Sequence, residues 1–434
     1  MDKMADVLGR AGAWCGQNKY LSAIKNAFQN FMPLTIAGAI GVLWCNVLVN
    51  ESTGLGIFFK PIMALEFLNP AFQAVNFCTI SCITVGITLG IAQEIGVWNM
   101  GAEKAGYIPG LVGLAAWLSV TNTSHMVEGA KEAFTGIAGN ELGATGLFTG
   151  MIIGVLSVEL FCFFEKQDAL KIKMPEQVPP GVARAFEVLV PATITLIITA
   201  CIGSACYNLT GLYLNDVIKN GIQGPLGAVG ATIPGVMIIY LVIMLFWLVG
   251  IHGNNMLSAV KEALFTPLAL ENVEKFNKGE KPTNIINMYA LQMWGEFGGS
   301  GVTIGLVIAI MIFGKREDNK AIATLSLVPG LFNINETVTF GVPMVLNPIL
   351  GIPFVVAPLI TIIIGYVLTV IGFCPVACLT VPWTCPPLIF GFLATGANIM
   401  GAVTQAILIV VSTVIYVPFL ISYEKYQNKQ AAEA

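Results

Sequence analysis

From Ala321 to Tyr423 the chain runs for 103 residues with a single formal charge, Glu336. A stretch of that length cannot cover a water-facing surface, whereas a bilayer-spanning helix needs only about 20 apolar residues. Three further stretches, Phe67–Gln93, Val188–Asn215 and Asn220–Val260, also lack Asp, Glu, Lys and Arg. Charged residues make up 11% of the 434, against roughly 25% in a soluble domain. The chain is therefore read as an all-α polytopic membrane protein. Its high hydrophobicity excludes a disordered chain, and a net charge of -4 without a basic patch excludes a nucleic-acid binder.

The one exception to the charge deficit sits in a polar run, Asn333-Ile334-Asn335-Glu336-Thr337. A carboxylate at the centre of a spanning helix costs on the order of 3 kcal/mol, so a lone one faces a cavity or a partner, unless it lies at the headgroup interface. Glu336 is the first functional candidate. The ten cysteines lie mostly in apolar segments; Cys78 and Cys82, like Cys374 and Cys378, share a helix face, but no His or carboxylate lies nearby in sequence. They read as small buried hydrophobes, and neither a metal nor a cofactor is expected. No cleavable signal peptide is evident.

Residues 3–30 read as an amphipathic segment on the cytoplasmic face, with Trp14, Leu21, Ile24, Phe28 and Phe31 at roughly helical spacing. Spans are predicted at 31–49, 71–95, 106–121, 144–164, 187–210, 225–250, 297–314, 354–373 and 399–422. Between them, 122–143, 251–296, 321–350 and 374–396 are too polar or too broken by Pro and Gly to cross simply. Irregular backbone at membrane depth survives only against protein or a water-filled cavity, so a pathway is expected there. Basic residues in 165–184, in 315–320 and in the tail place these loops and both termini in the cytoplasm. That orientation conflicts with nine crossings, and an extra crossing at 251–270 brings the number to ten. The Pro-rich stretch 165–184 is the expected boundary between a scaffold or dimerisation half, 31–185, and a substrate-binding half, 186–434. Gly146, Gly150 and Gly154 are spaced for close helix approach, either between protomers or within one.

Four polar clusters stand out in the second half. One follows Trp247 as Gly250-Ile251-His252-Gly253-Asn254-Asn255; the second is Trp294-Gly295-Glu296-Phe297-Gly298-Gly299-Ser300-Gly301. The third is Pro382-Trp383-Thr384-Cys385-Pro386-Pro387, and the fourth surrounds Glu336 with Asn333 and Asn335. A lone histidine at a helix end is often a capping or packing residue, and membrane glycines often mark close packing. Together, however, a carboxylate, amides, an imidazole and indoles suit a carbohydrate, whose hydroxyls need planar donors and acceptors and whose C–H faces stack on indole. There is no Walker-type or dinucleotide-binding glycine motif, so the chain is not expected to hydrolyse a nucleotide itself.

These residues carry a resemblance. Phe332-Asn-Ile-Asn-Glu336 with Phe340-Gly-Val-Pro343, Leu346-Asn-Pro348 and Ile352-Pro-Phe354 resembles the signature of enzyme IIC (EIIC) permeases in the lactose/cellobiose/diacetylchitobiose branch of the bacterial phosphotransferase system. Trp247-Leu-Val-Gly-Ile-His252-Gly253, Gly298-Gly-Ser-Gly301, Pro382-Trp383-Thr-Cys-Pro386-Pro387, Gly391-Phe-Leu-Ala-Thr-Gly396, and Tyr20-Leu-Ser-Ala-Ile24 leading to Phe31-Met-Pro33-Leu34 are similar too. The resemblance implies about ten transmembrane helices, two re-entrant hairpins, amphipathic interfacial helices and a homodimer formed by the N-terminal half. It matches His252 and Glu336 to sugar-binding positions. The chain departs from the family at Thr337, where proline is usual, and at Cys385, where threonine is common.

The function expected on this basis is translocation of a cellobiose- or diacetylchitobiose-type disaccharide by alternating access, in a bacterial membrane among lipid. A separate phosphorylated enzyme IIB (EIIB) is expected to phosphorylate the sugar 6-hydroxyl, with Glu336 or His252 orienting that hydroxyl or accepting its proton. Expected sugar contacts are Glu336, His252, Asn254, Asn255, Trp247, Glu296, Asn333, Asn335 and Trp383. The rival is a proton-coupled secondary transporter using Glu336 and His252.

Overall fold

A computed structural model describes residues 10, 14, 17–51, 56, 59–125, 134–175, 177–225, 230–342 and 344–433. Among these residues, five helices are long and apolar enough to cross a membrane: Lys19–Leu48, Ala144–Glu165, Pro180–Thr210, Gly351–Val370 and Ile399–Gln430. Two bent helix pairs raise the number to seven if each is one span, and Ile108–Val120 and Ile233–Leu248 are shorter apolar helices. The strands among them form one two-residue hairpin, Ser124–His125 against Phe134–Thr135. The architecture is all-α and polytopic.

Local chemistry explains where the helices differ from expectation. Lys19–Leu43 is a single helix that carries Pro33 inside it, where a surface segment ending near residue 30 was expected; residues 3–9, 11–13, 15 and 16 of that segment lie outside the described residues. The span expected at 297–314 is helical only from Ile304 to Phe313. Gly298, Gly299 and Gly301 have φ of 70°, 88° and 80°, a left-handed region that glycine enters without steric cost, and the chain turns there. The helices on either side, Met288–Val302 and Ile304–Phe313, meet at 59°. In place of the extra apolar crossing at 251–270 stands the helix Gly253–Asn277, which carries Lys261 and Glu262 near its middle and is not among the apolar spans.

Contacts divide the chain into two compact units, one of Gln17–Gly38 with Val75–Ala228, the other of Met1–Gly16, Ala39–Ala74 and Val229–Ala434. In the first unit the helix Pro180–Thr210 packs on Ile108–Val120 and Ala144–Glu165. In the first unit small residues set the helix spacing. A Cβ on Gly113 would stand 2.3 Å from the Ala92 Cβ, and one on Gly150 would stand 2.2 Å from the Thr88 Oγ1. Gly154 lies against the Thr88 carbonyl, and Gly146 against the Glu141 carbonyl. Gly146, Gly150 and Gly154 are therefore buried inside one chain. Beside them Ile87, Ile91, Ile95 and Trp117 form a dry core.

In the second unit Ile304–Phe313 and Gly351–Val370 pack on the long helix Ile399–Glu433, and Ile233–Leu248 packs on Gly253–Asn277 and Gly351–Val370. Its core is aromatic: Tyr240, Trp247, Trp294, Phe297, Phe354 and Tyr416 are all buried. Gly113→Leu should overpack the first unit at a cost of about 1–3 kcal/mol and lower the thermal midpoint of the purified protein. Gly181→Ala, whose added methyl meets nothing within 4 Å, should leave that midpoint unchanged.

Candidate functional site

The helix Ile233–Leu248 starts with Pro234 in its first turn and with Thr232 accepting the Gly235 N–H at 3.2 Å. It ends in a Schellman closure: the Gly250 N–H bonds the Trp247 carbonyl and the Ile251 N–H bonds the Phe246 carbonyl, both at 3.0 Å, with Gly250 at φ 81°. The chain then reverses directly into Gly253–Asn277. Gly253 is necessary at the join, because a Cβ there would stand 2.0 Å from the Ile243 carbonyl oxygen. His252 between them is the N-cap, its Nδ1 accepting the Asn255 N–H at 3.2 Å. With Nδ1 used as an acceptor, the neutral ring carries its proton on Nε2. Trp247 is buried and backs the imidazole, ring centroids 4.4 Å apart, and itself meets Phe354 edge-on at 6.4 Å.

Glu336 opens the short helix Glu336–Gly341, where the first-turn N–H groups favour a carboxylate. Its Oε1 lies 3.7 Å from His252 Nε2, and the two side chains are 47% and 37% exposed. This separation is too long for a direct hydrogen bond. A hydroxyl lying to one side of the pair can accept from Nε2–H and donate to the carboxylate.

The Gly298–Gly301 turn lies behind this pair and is bonded from several directions. Asn254 Nδ2 donates to Ser300 Oγ at 2.9 Å, and Asn335 Nδ2 donates to the Ser300 carbonyl at 2.8 Å and to Thr339 Oγ1 at 3.1 Å. The Gly298 N–H donates to Asn333 Oδ1 at 2.6 Å, Thr303 Oγ1 donates to the Gly298 carbonyl at 2.6 Å, and Tyr416 donates to the Gly301 carbonyl at 2.8 Å. Gly299 has no room for a side chain, since its Cβ would stand 2.6 Å from that of Asn335. The loops carrying His252 and Glu336 are thus tied to one turn.

The remaining sequence candidates fall into two groups. Trp383 stands 44% exposed in the irregular stretch before Ile389–Ala394, and Asn255 is exposed in the first turn of its helix. Asn254, Asn333, Asn335 and Trp247 face protein, as does Glu296, whose Oε1 accepts from Tyr240 at 2.6 Å and from the Lys261 ammonium. Lys261 also lies over the Tyr240 ring, 5.5 Å from its centroid. Lys261, Tyr240 and Tyr416 were absent from the sequence reading. The available signal was Lys261 itself, which with Glu262 is the first charge after the uncharged stretch Asn220–Val260.

Apolar helices interrupted by polar turns, with a carboxylate and an imidazole exposed side by side, define a polytopic membrane carrier for a polar solute. Residues 25–358 match the family model described as "Phosphotransferase system, EIIC". The oligo-beta-mannoside-specific EIIC component of Bacillus subtilis (strain 168) is 33% identical over 98% of this chain and 94% of its own length. The lactose-specific EIICB component of Streptococcus mutans is 27% identical over 96% of this chain and 71% of its own. The crystal structure of ChbC, the IIC component of the N,N'-diacetylchitobiose-specific phosphotransferase system, superposes with a TM-score of 0.88 at 30% identity, covering 97% of both chains. The chain belongs to the phosphotransferase EIIC family and is a membrane sugar permease of that system.

The Lys261–Glu296 pair is buried, so removing one partner leaves a charge without compensation. Lys261→Met is expected to cost about 3–5 kcal/mol of stability, and the neutral pair Lys261→Met with Glu296→Gln to regain most of it. Thermal midpoints of the purified variants give the comparison; equal midpoints for the single and double variants contradict it.

Proposed function

We propose that the chain carries a disaccharide of the cellobiose or diacetylchitobiose type and presents it to a separate phosphorylated EIIB. The observation that carries this reading is the 3.7 Å gap between His252 Nε2 and Glu336 Oε1. It sets an exposed donor and an exposed acceptor side by side, where a sugar hydroxyl lying off their axis can contact both. Trp383, exposed beside a loop tied to the Glu336 loop, supplies the indole face on which a pyranose ring stacks. The names of the relatives support the class, being those of oligo-beta-mannoside, lactose and diacetylchitobiose systems, and one of them joins a C and a B component in a single chain.

In the chemical step the His252 Nε2–H holds the 6-hydroxyl oxygen while the Glu336 carboxylate takes its proton. The oxygen then bonds to phosphorus as the bond from phosphorus to EIIB breaks. The unit containing residues 229–434 is the substrate-binding part and moves for alternating access. The helices of 75–228 provide the scaffold and the homodimer contact, lipid surrounds the spans, and the basic loops with both termini face the cytoplasm.

Glu336→Gln replaces a charged acceptor with a neutral one and should weaken disaccharide affinity about 10- to 100-fold. Titration of the purified protein with cellobiose and diacetylchitobiose measures this, and wild-type affinity in the variant rules the assigned role out. In vesicles, phosphorylated sugar should appear only when phospho-EIIB is supplied. Accumulation of unmodified sugar on a pH gradient alone refutes the coupling.

A further inference from the structure

We propose that Asn333 is a positioning residue that sets where Trp383 stands against the sugar, and so fixes how the far ring of the disaccharide is gripped. The inference rests on the sugar-site reading above and extends it. Asn333 has φ 62°, a left-handed conformation that asparagine tolerates better than other non-glycine residues. This backbone turn aims its amide away from the Glu336 side chain and across to another segment.

There the amide is used up. Its oxygen accepts the Gly298 N–H at 2.6 Å, and its nitrogen donates to the Trp383 carbonyl and, at 3.1 Å, to the Cys385 carbonyl. Only one orientation of the amide satisfies all three, because an N–H cannot face the Gly298 N–H, nor an oxygen the two carbonyls. Both amide hydrogens are spent on backbone, so Asn333 has no donor left for a sugar hydroxyl. What it does is join three segments: the glycine turn, the loop that ends in Glu336, and the loop that carries Trp383.

The Trp383 loop needs such a tie. It is irregular from residue 371 to residue 388, so its backbone groups are not held by a helix ladder. Its far end is anchored by Gln405, whose Oε1 accepts the N–H groups of Leu388 at 2.7 Å and Gly391 at 2.9 Å. Its near side is held at the Ala377 carbonyl, which accepts from Asn272 at 2.9 Å and Asn287 at 3.1 Å; between these anchors the Cys385 N–H closes a turn on the Pro382 carbonyl at 2.9 Å, and Asn333 bonds that turn from outside. The indole at 383 is thereby referred to the same loop as the catalytic carboxylate, three residues along the chain.

The test is a double-mutant cycle for binding of N,N'-diacetylchitobiose and cellobiose to the full chain in detergent. Asn333→Gly keeps the left-handed backbone and removes all three bonds. It should weaken affinity about tenfold when Trp383 is present and less than about twofold in a Trp383→Ala background, because the ring through which it acts is then gone. Asn333→Asp, which keeps the acceptor but turns carboxylate oxygens toward two carbonyls, should weaken affinity at least as much as Asn333→Gly. Hydrogen exchange supplies a reading independent of affinity: the amides of Trp383, Thr384 and Cys385 should exchange faster in Asn333→Gly, while those of 256–265 remain as in wild type. Equal losses with and without Trp383, or faster exchange in both segments alike, overturn the positioning role and leave the sugar site standing. Failure of the wild-type protein to bind either sugar overturns the site reading and the proposal together.

Discussion

A backbone that leaves its helix within a bilayer finds no water for its N–H and C=O groups, so the protein must supply every partner. The Gly298–Gly301 turn meets that demand with Thr303, Asn333, Asn335 and Tyr416, which between them bond the Gly298 N–H and carbonyl and the carbonyls of Ser300 and Gly301. These side chains come from three different places along the chain. Satisfying the turn therefore fixes the loops around it, and the spacing of His252 from Glu336 follows from the same bonds. The glycines make the arrangement possible, because a side chain at 298, 299 or 301 would collide with Ile304, Asn335 or Phe354.

The site was legible in the sequence to the extent that it was costly to place. A lone carboxylate in 103 residues and a histidine between two glycines are conspicuous because an apolar medium tolerates neither without cause, and Glu336 and His252 do face one another. The duties of the neighbouring polar residues were not legible. Asn333 and Asn335 read as sugar contacts by composition, but an amide serves a backbone carbonyl as well as a hydroxyl, and only the fold shows that carbonyls lie near both. Glu296 is the sharper case: its partner Lys261 lies 35 positions earlier on another helix, and no local pattern links the two. Helix ends were obscured for a similar reason, since hydropathy continues through Gly298–Gly301 while the backbone does not.

The two departures from the family pattern fall where side-chain identity matters least to this framework. Thr337 is the second residue of the helix Glu336–Gly341, a position whose N–H has no partner within the helix, so proline and threonine both fit there. Cys385 contributes its carbonyl to Asn333, a bond that threonine would make equally well. Neither change alters the bonds between the loops.

The cap that His252 forms limits what its ring can do. A histidine passes protons along a chain of groups by taking one at a nitrogen on one side and releasing one from the nitrogen on the other. Here the Nδ1 lone pair is turned onto the Asn255 N–H and Nε2 already carries the proton of the neutral ring, so neither nitrogen stands open to take a proton and hand it on. The imidazole is a dead end for a proton wire, able to orient a hydroxyl on one face but not to conduct through the protein.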